Sequence, residues 1–262
     1  MKLWLGNPTP PSDGPDAFGD MLKENVKTMG REGTICEVKW LKSGYLSASH
    51  AWTGMYNATE GVKRYYKAWK TGYDGVVIGC MADPGLTEAR SLIDIPVAGV
   101  CQSAVLIASC LGNKFSIIVH NRALVAILTD NIRSYGMIDK LASIRYIDIS
   151  VIEGLTAPAK LMSEFSEAVA RIADEDEAEV IIPGCTITSS ILTANKVHEI
   201  EKISVIDPVW AGIKMAEVLV DLKQTYGTGV CRSGIYSAAV GWEKEVPINF
   251  LTNDRIRPEG EH

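Results

Sequence analysis

The sequence lacks the features that would point to metal, nucleic-acid or membrane binding. It has only four histidines, and no two of its six cysteines have the C-x-x-C spacing of zinc ligands. Its 26 Lys and Arg against 32 Asp and Glu give a net charge of -6, which favours no nucleic-acid surface. No apolar run approaches the roughly 18 residues that cross a bilayer, and the N-terminal run is too short for a secretory signal. The sequence therefore predicts a cytoplasmic protein whose thiols are reduced and hold no metal.

What is present is an alternation of short β-rich runs and amphipathic helical segments. Strands are predicted over residues 2–6, 35–40, 75–79, 96–100, 115–119, 144–149, 180–183 and 204–206. Helices are predicted over residues 16–31, 54–71, 102–111, 122–135, 157–175, 189–200 and 209–222. This alternation is typical of crossover units in parallel sheets that are covered by helices on both faces. The predicted fold class is therefore α/β.

An internal repeat divides this alternation into two similar parts. Residues 74–80, Asp-Gly-Val-Val-Ile-Gly-Cys, are echoed by residues 178–185, Ala-Glu-Val-Ile-Ile-Pro-Gly-Cys. Each copy continues into a helical segment, a second strand and an alanine-rich helix. The first strand, which leads to Asn7, has its counterpart in the strand that leads to His120 and Asn121.

The repeat predicts two similar Rossmann-like lobes with parallel sheets, related by a pseudo-twofold axis, with the active site between them. The N-terminal lobe would cover residues 1–112 and the C-terminal lobe residues 113–222. Residues 223–262, rich in Gly, Ser and charged residues, have no repeat partner. They are predicted to form a C-terminal extension.

Cys80 and Cys185 occupy the same place in the two copies, directly after an apolar strand and a glycine. The crevice beyond the carboxyl ends of parallel strands is where such sheets bind ligands. A cysteine that precedes a helix is expected to have a lowered pKa, because the helix dipole favours the thiolate. Equivalent positions of duplicated lobes meet, so we expect both thiols to face one cleft.

Two thiols on opposite sides of one carbon atom can invert its stereochemistry without a cofactor. One thiolate removes a proton from one face, and the opposite thiol returns a proton to the other face. The alternative for any buried cysteine is a small apolar residue of the core. That role is predicted for Cys36, Cys101, Cys110 and Cys231.

Further residues near the strand ends are candidates for the pocket. Asn7 could bind a substrate carbonyl or could cap the turn before Pro8. Ser47 could contact a substrate amide or be an ordinary loop hydroxyl, and Thr186 is expected to offer its N–H to an anionic group. Asp83 is predicted to cap the short helix that follows it. The remaining predicted substrate-binding residues are Met81, Ala82, His120, Asn121 and Ile187.

Five short motifs together resemble one known family. They are Asn7-Pro8-Thr9, Gly44-Tyr45-Leu46-Ser47, Gly79-Cys80-Met81-Ala82-Asp83-Pro84-Gly85-Leu86, Gly184-Cys185-Thr186 and Pro208-Val209-Trp210-Ala211. The sequence resembles the Asp/Glu/hydantoin racemase superfamily, and most closely its hydantoin racemase branch. The Cys-Met-Ala-Asp-Pro-Gly-Leu stretch is the most specific part of the resemblance.

The resemblance covers about residues 1–222. It implies a cofactor-independent racemase, a homo-oligomer, that inverts C5 of 5-substituted hydantoins or related cyclic ureides. It also implies that Cys80 serves the D-isomer and Cys185 the L-isomer. The chain departs from the family pattern at Thr186-Ile187-Thr188, at His120-Asn121 and at residues 100–103, positions that are expected to border the pocket.

Two other functions stay open at this point, both with a small molecule as partner. An aspartate- or glutamate-type racemase would need donors for two carboxylates, and the strand-end loops contain no obvious arginine for them. A non-catalytic two-lobed binding protein would keep its function when both cysteines are replaced by alanine.

Overall fold

The first sheet of the protein is built entirely from parallel strands. The computed structural model describes residues 1–11 and 16–237. Its first four strands are β1 (Lys2–Gly6), β2 (Ile35–Lys39), β3 (Gly75–Ile78) and β4 (Val97–Gly99). They pair in the order β2-β1-β3-β4. The two central strands are almost wholly buried, as expected when helices cover both faces of a parallel sheet.

The second sheet repeats this order and adds one strand. Its members are β5 (Phe115–Val119), β6 (Leu141–Tyr146), β7 (Val180–Pro183), β8 (Glu199–Ile200) and β9 (Ile203–Val205). They pair in the order β6-β5-β7-β9-β8, and all pairs are parallel except the terminal β8–β9 hairpin. Strand β5 takes the place of β1 and β7 the place of β3. The sequence repeat therefore corresponds to a repeat in strand order, and the α/β prediction with parallel sheets is confirmed.

Helices follow most of the strands and cover the two sheets. They are α1 (Ala17–Val26), α2 (Ala51–Lys70), α3 (Leu86–Leu92), α4 (Val100–Leu111), α5 (Ala123–Ser134), α6 (Val151–Thr156), α7 (Pro158–Glu175), α8 (Thr186–Ala194) and α9 (Pro208–Thr225). None of these described helices is both long and apolar enough to cross a membrane.

One apolar core joins the two sheets. It includes Leu5 and Val77 from the first sheet and Ile117 and Ile182 from the second, each fully buried. Helices α4 and α9 complete it, and α9 packs on β3, β4 and α4 of the N-terminal part. Gly212 permits this close packing, because a Cβ there would lie 2.8 Å from the Val100 side chain and 2.9 Å from that of Val77. The proposed boundaries at residues 112 and 222 remain a prediction, since α9 returns to the first sheet and runs on to Thr225.

One strand and one helix in the second half of the chain have bounds that differ from the prediction. Strand β6 begins at Leu141, three residues earlier than the predicted residue 144. The predicted helix over residues 189–200 instead runs over Thr186–Ala194. It ends early because the chain enters the β8–β9 hairpin, whose two-residue turn holds Glu201 and Lys202 at φ values of 50° and 71°. Most of the predicted C-terminal extension, residues 238–262, lies outside the described residues.

Candidate active site

The two predicted cysteines lie at equivalent strand ends. Cys80 follows β3, and Cys185 follows β7 and is the N-cap residue of α8. The preceding glycines bond to the neighbouring central strands: Gly79 N–H donates to Gly6 O at 2.8 Å, and Gly184 N–H to Ile118 O at 2.7 Å. Both cysteine residues are partly exposed to solvent. The structure thus places the pair at the carboxyl edges of the two sheets, where a ligand can reach them.

The thiol of Cys80 is strongly biased towards its protonated form. Burial raises the pKa of Cys80 to about 12, although a hydrogen bond from the backbone N–H of Ala82 acts to lower it. Negative charge on Cys185 and on Asp83 raises this pKa further, so the two thiols lie within electrostatic reach of each other. Cys80 is therefore suited to donate a proton.

The thiol of Cys185 has the opposite bias. Burial raises its pKa, but a hydrogen bond from His120, the charge of that imidazole and the backbone N–H groups of Thr188 and Ile187 outweigh burial and lower the pKa below its ordinary value. Burial in turn lowers the pKa of His120, yet its contact with Cys185 raises it overall. The contact with His120 thereby increases the thiolate fraction of Cys185, which makes this sulfur the better base of the two.

Replacing His120 by glutamine should move the ionisation of Cys185 to higher pH. The imidazole lowers the pKa of Cys185, so its removal raises that pKa and reduces the thiolate fraction at neutral pH. Iodoacetamide labelling of Cys185, followed by peptide mass spectrometry across pH, should then show a profile displaced upwards and slower labelling at neutral pH. The matched control is His198→Gln at an exposed position. An unchanged Cys185 profile in His120→Gln would contradict the pairing.

The other residues predicted near the first cysteine differ in their surroundings. Asn7 is buried, and its Oδ1 accepts from Thr9 N–H at 3.2 Å and Thr9 Oγ1 at 3.0 Å, so the carbonyl caps the turn. Among the described residues no partner engages its Nδ2, which leaves that group for a ligand. Met81 is 1% exposed within the core, so its side chain does not offer a substrate contact. Ser47 is exposed, its Oγ accepts from Ser49 N–H at 3.3 Å, and no described contact brings it to either cysteine.

Residues near the second cysteine mainly shape its local environment. Ile187 and Thr188 direct backbone N–H groups at the Cys185 sulfur, whereas the prediction had offered the N–H of Thr186 to an anion. Thr186 is the first residue of α8 and is buried. Asn121 Oδ1 accepts from Ala123 N–H at 2.9 Å and so holds the turn that leads into α5, whose N-cap is Arg122.

The prediction that Asp83 caps the next helix is wrong. The N-cap of α3 is Gly85, which has no side chain for the purpose. Asp83 instead turns its buried carboxylate to the start of α4, where Cys101 N–H donates at 3.0 Å and Gln102 N–H at 2.9 Å. Burial raises the pKa of Asp83 to about 6, although these two donors act against the rise.

A buried tyrosine lies beside the first cysteine, although none of the sequence motifs includes it. Tyr65 of α2 is 2% exposed, and its ring packs so closely on Gly6 that a Cβ there would lie 2.5 Å from the ring. Burial raises the pKa of its hydroxyl, and charge on Cys80 adds to the rise, which places the tyrosine beside that cysteine. The helical spacing of aromatic residues gave no means to separate Tyr65 from its neighbours.

An apolar cavity opens next to the Cys80 loop. Its volume is about 520 Å³, and Ala82 and Pro84 of the loop, Met55 and Val62 of α2 and Ile127 of α5 contribute to its lining. Neither cysteine lines it. Within residues 1–11 and 16–237 no group of three His, Cys, Asp or Glu side chains could hold a metal ion.

Sequence comparison relates the chain to named racemases. It is 34% identical to the hydantoin racemase of Pseudomonas sp. strain NS671 over 161 residues, covering 62% of this chain and 64% of that protein. It is 34% identical to the hydantoin racemase of Rhizobium meliloti over 148 residues, covering 56% of this chain and 61% of that protein. The matched region therefore spans less than two thirds of the length of these relatives.

Structural comparison and a family model agree on the fold. The allantoin racemase from Klebsiella pneumoniae superposes with a TM-score of 0.80 at 24% identity, covering 91% of this chain and 94% of that one. The allantoin racemase from Pseudomonas fluorescens gives a TM-score of 0.81 at 21% identity over 92% and 97% of the two chains. The model of the Asp/Glu/Hydantoin racemase family matches residues 46–216, which include both cysteines. The chain belongs to the Asp/Glu/hydantoin racemase family.

Proposed function

We propose that this protein is a cofactor-independent racemase that inverts C5 of 5-substituted hydantoins or related cyclic ureides. The observation that carries the proposal is the unequal pair of thiols at equivalent strand ends. His120 lowers the pKa of Cys185 and so favours its thiolate, whereas burial raises the pKa of Cys80 and keeps its thiol protonated. An acid and a base that face one site in opposite protonation states are what a two-base inversion requires.

The reaction needs only proton transfers at one carbon. The Cys185 thiolate takes the C5 proton, so the C–H bond breaks, an S–H bond forms and the electron pair moves to the adjacent carbonyl as an enolate. The enolate then takes a proton from Cys80 on the opposite face, so an S–H bond breaks and the new C–H bond has the inverted configuration. Cys80 is left as thiolate, which is the base for the opposite enantiomer.

The ring substrate is supported by the relatives and by the charges near the site. The sequence relatives are named hydantoin racemases and the structural neighbours allantoin racemases, and allantoin is itself a hydantoin with a ureido group at C5. An open-chain dicarboxylate would need cationic partners, whereas the guanidinium nearest in sequence to His120, that of Arg122, stacks on Tyr146 at 5.0 Å. Thiol catalysis also needs a reducing compartment such as the cytoplasm. A homo-oligomer is proposed from the family resemblance alone.

The test is to incubate enantiopure 5-substituted hydantoins, and allantoin separately, with the protein in D₂O. Optical rotation should decay to zero while the C5–H signal disappears from the NMR spectrum, and L- and D-aspartate and glutamate should remain unchanged. Protein alkylated with iodoacetamide is the control for non-enzymatic racemisation. If no cyclic ureide loses rotation or C5–H faster than in that control, the proposed function is wrong.

A further inference from the structure

The loop that carries Cys80 is held in a conformation that needs external support. Asp83 N–H donates to Cys80 O at 2.9 Å and closes a tight turn. Asp83 itself has a φ of 44°, in the left-handed region that residues other than glycine rarely adopt. Such backbone strain persists only where surrounding contacts hold it.

The first support is the buried carboxylate of Asp83. In addition to the two N–H donors at the start of α4, Tyr135 Oη donates to Asp83 Oδ2 at 2.8 Å. Gly99 makes room for this group, because a Cβ there would lie 2.5 Å from the carboxylate carbon. The turn is thus fastened both to its own lobe and to Tyr135, which follows α5 and belongs to the second half of the chain.

The second support comes from α5 itself. Asn131 Nδ2 donates to Ala82 O at 2.8 Å, and Asn131 and Tyr135 are four residues apart, so they face the loop from one side of the helix. At its other end α5 begins at Ala123, three residues after His120, the residue that contacts Cys185. One helix therefore touches the surroundings of both thiols, at opposite ends.

We propose that α5 is a strut that sets the position of Cys80 relative to Cys185, with Asn131 and Tyr135 as positioning residues. The strut acts on Cys80 through Ala82 and Asp83, and it leaves the contact between His120 and Cys185 untouched. Its kinetic consequence rests on the proposed racemisation, whereas its effect on the exposure of Cys80 does not. The two can therefore be measured separately.

The experiment compares Asn131→Ala/Tyr135→Phe with wild type. The matched control is Tyr73→Phe, which removes another tyrosine–carboxylate hydrogen bond, the 2.6 Å bond to Glu37, at the start of β3 rather than at its end. The first measurement needs no substrate: iodoacetamide labelling of Cys80 and Cys185, resolved by peptide mass spectrometry. We expect the freed loop to label at Cys80 at least about threefold faster, with Cys185 unchanged, because a less buried thiol ionises more readily.

The second measurement separates proton removal from inversion. In the double variant racemisation should fall about tenfold or more, since small displacements of a reacting group are costly. Deuterium uptake by the enantiomer that Cys185 deprotonates should change by less than about twofold, because that base stays in place. A general loss of structure would lower both rates together. Tyr135→Phe alone provides the same comparison if the double variant does not fold.

The strut is ruled out if Cys80 labels no faster in the double variant than in Tyr73→Phe. It is also ruled out if racemisation and one-sided exchange decline in parallel. If wild-type protein racemises no cyclic ureide, the proposed function fails, and the labelling comparison alone then decides whether α5 positions Cys80.

Discussion

Replacing either Cys80 or Cys185 by serine should lower racemisation of a 5-substituted hydantoin by about 10²–10⁴-fold, the usual contribution of a general acid or base. A serine hydroxyl is far less acidic than a thiol, so it neither gives nor takes the C5 proton at neutral pH. The measurement is the decay of optical rotation from each pure enantiomer. Because both residues act in every inversion, each single variant should be defective in both directions.

Deuterium exchange should distinguish the two variants. Cys80→Ser keeps the base that His120 supports, so in D₂O one enantiomer should lose its C5 proton without inverting. Cys185→Ser should exchange the opposite enantiomer far more slowly, because burial keeps Cys80, its remaining base, protonated at neutral pH. By the family resemblance, the isomer that Cys80→Ser exchanges is expected to be the L-isomer.

Cys110→Ser is the matched control for the cysteine variants, because Cys110 is an exposed free thiol on α4. The prediction that Cys110 is a core residue is therefore wrong. The Cys110→Ser variant should racemise at the wild-type rate. Full racemisation by either active-site variant would contradict the two-base mechanism, as would an equal loss of activity in Cys110→Ser.

Replacing Gly184 by alanine should destabilise the fold and displace Cys185 together. A Cβ at Gly184 would lie 2.6 Å from Val119 Cγ1 and 2.9 Å from the carbonyl oxygen of Ile118. Both neighbours belong to the buried strand β5 and cannot move aside as an exposed side chain could. Overpacking of this kind costs about 3 kcal/mol.

The expected result is a Tm lower by about 6–12 °C for a chain of this size. Differential scanning calorimetry gives the Tm, and iodoacetamide labelling of Cys185 reports its displacement. Gly229→Ala is the control, because among the described residues the only atom within 4 Å of a Cβ there is Lys223 Cδ at 3.9 Å. A Gly184→Ala protein that melts within about 2 °C of wild type would show that the strand ends are less tightly packed than described.

The central strands were predictable from sequence, and the edge strands were less so. The predicted bounds of β1, β5 and β7 agree with the structure, because buried parallel strands are mainly apolar runs and polar residues, Gly or Pro mark their limits. Strand β6 is only partly buried, so its limits leave a weaker apolar pattern, and it was misplaced. Strand β8 has two residues, too few for any periodicity, and was missed.

For the candidate site, too, some features were predictable from sequence and others were not. The cysteine pair was found because a repeat makes two distant positions comparable. The difference between the pKa values of the two thiols was not found from sequence. It depends on His120, which contacts Cys185 across 65 residues of sequence through the pairing of β5 with β7. Asp83 was misassigned for a related reason: its partners at Cys101, Gln102 and Tyr135 lie 18, 19 and 52 residues further along the chain. No local pattern reports contacts of that kind.

His120 lies beside only one of the two sulfurs, so the free protein is prepared to react with one enantiomer rather than the other. Two enantiomers are equal in free energy, so kcat/KM must be the same in both directions, and the inequality can appear only in kcat and KM taken separately. The isomer that Cys185 deprotonates meets a protein in which His120 already favours the Cys185 thiolate. In the proposed mechanism each inversion of that isomer leaves the negative charge on Cys80, where burial opposes it, so the return of a proton from solvent to Cys80 becomes a step of the cycle. At high substrate concentration the return of the proton to Cys80 in the free protein, rather than the breaking of the C5–H bond, would then limit the rate.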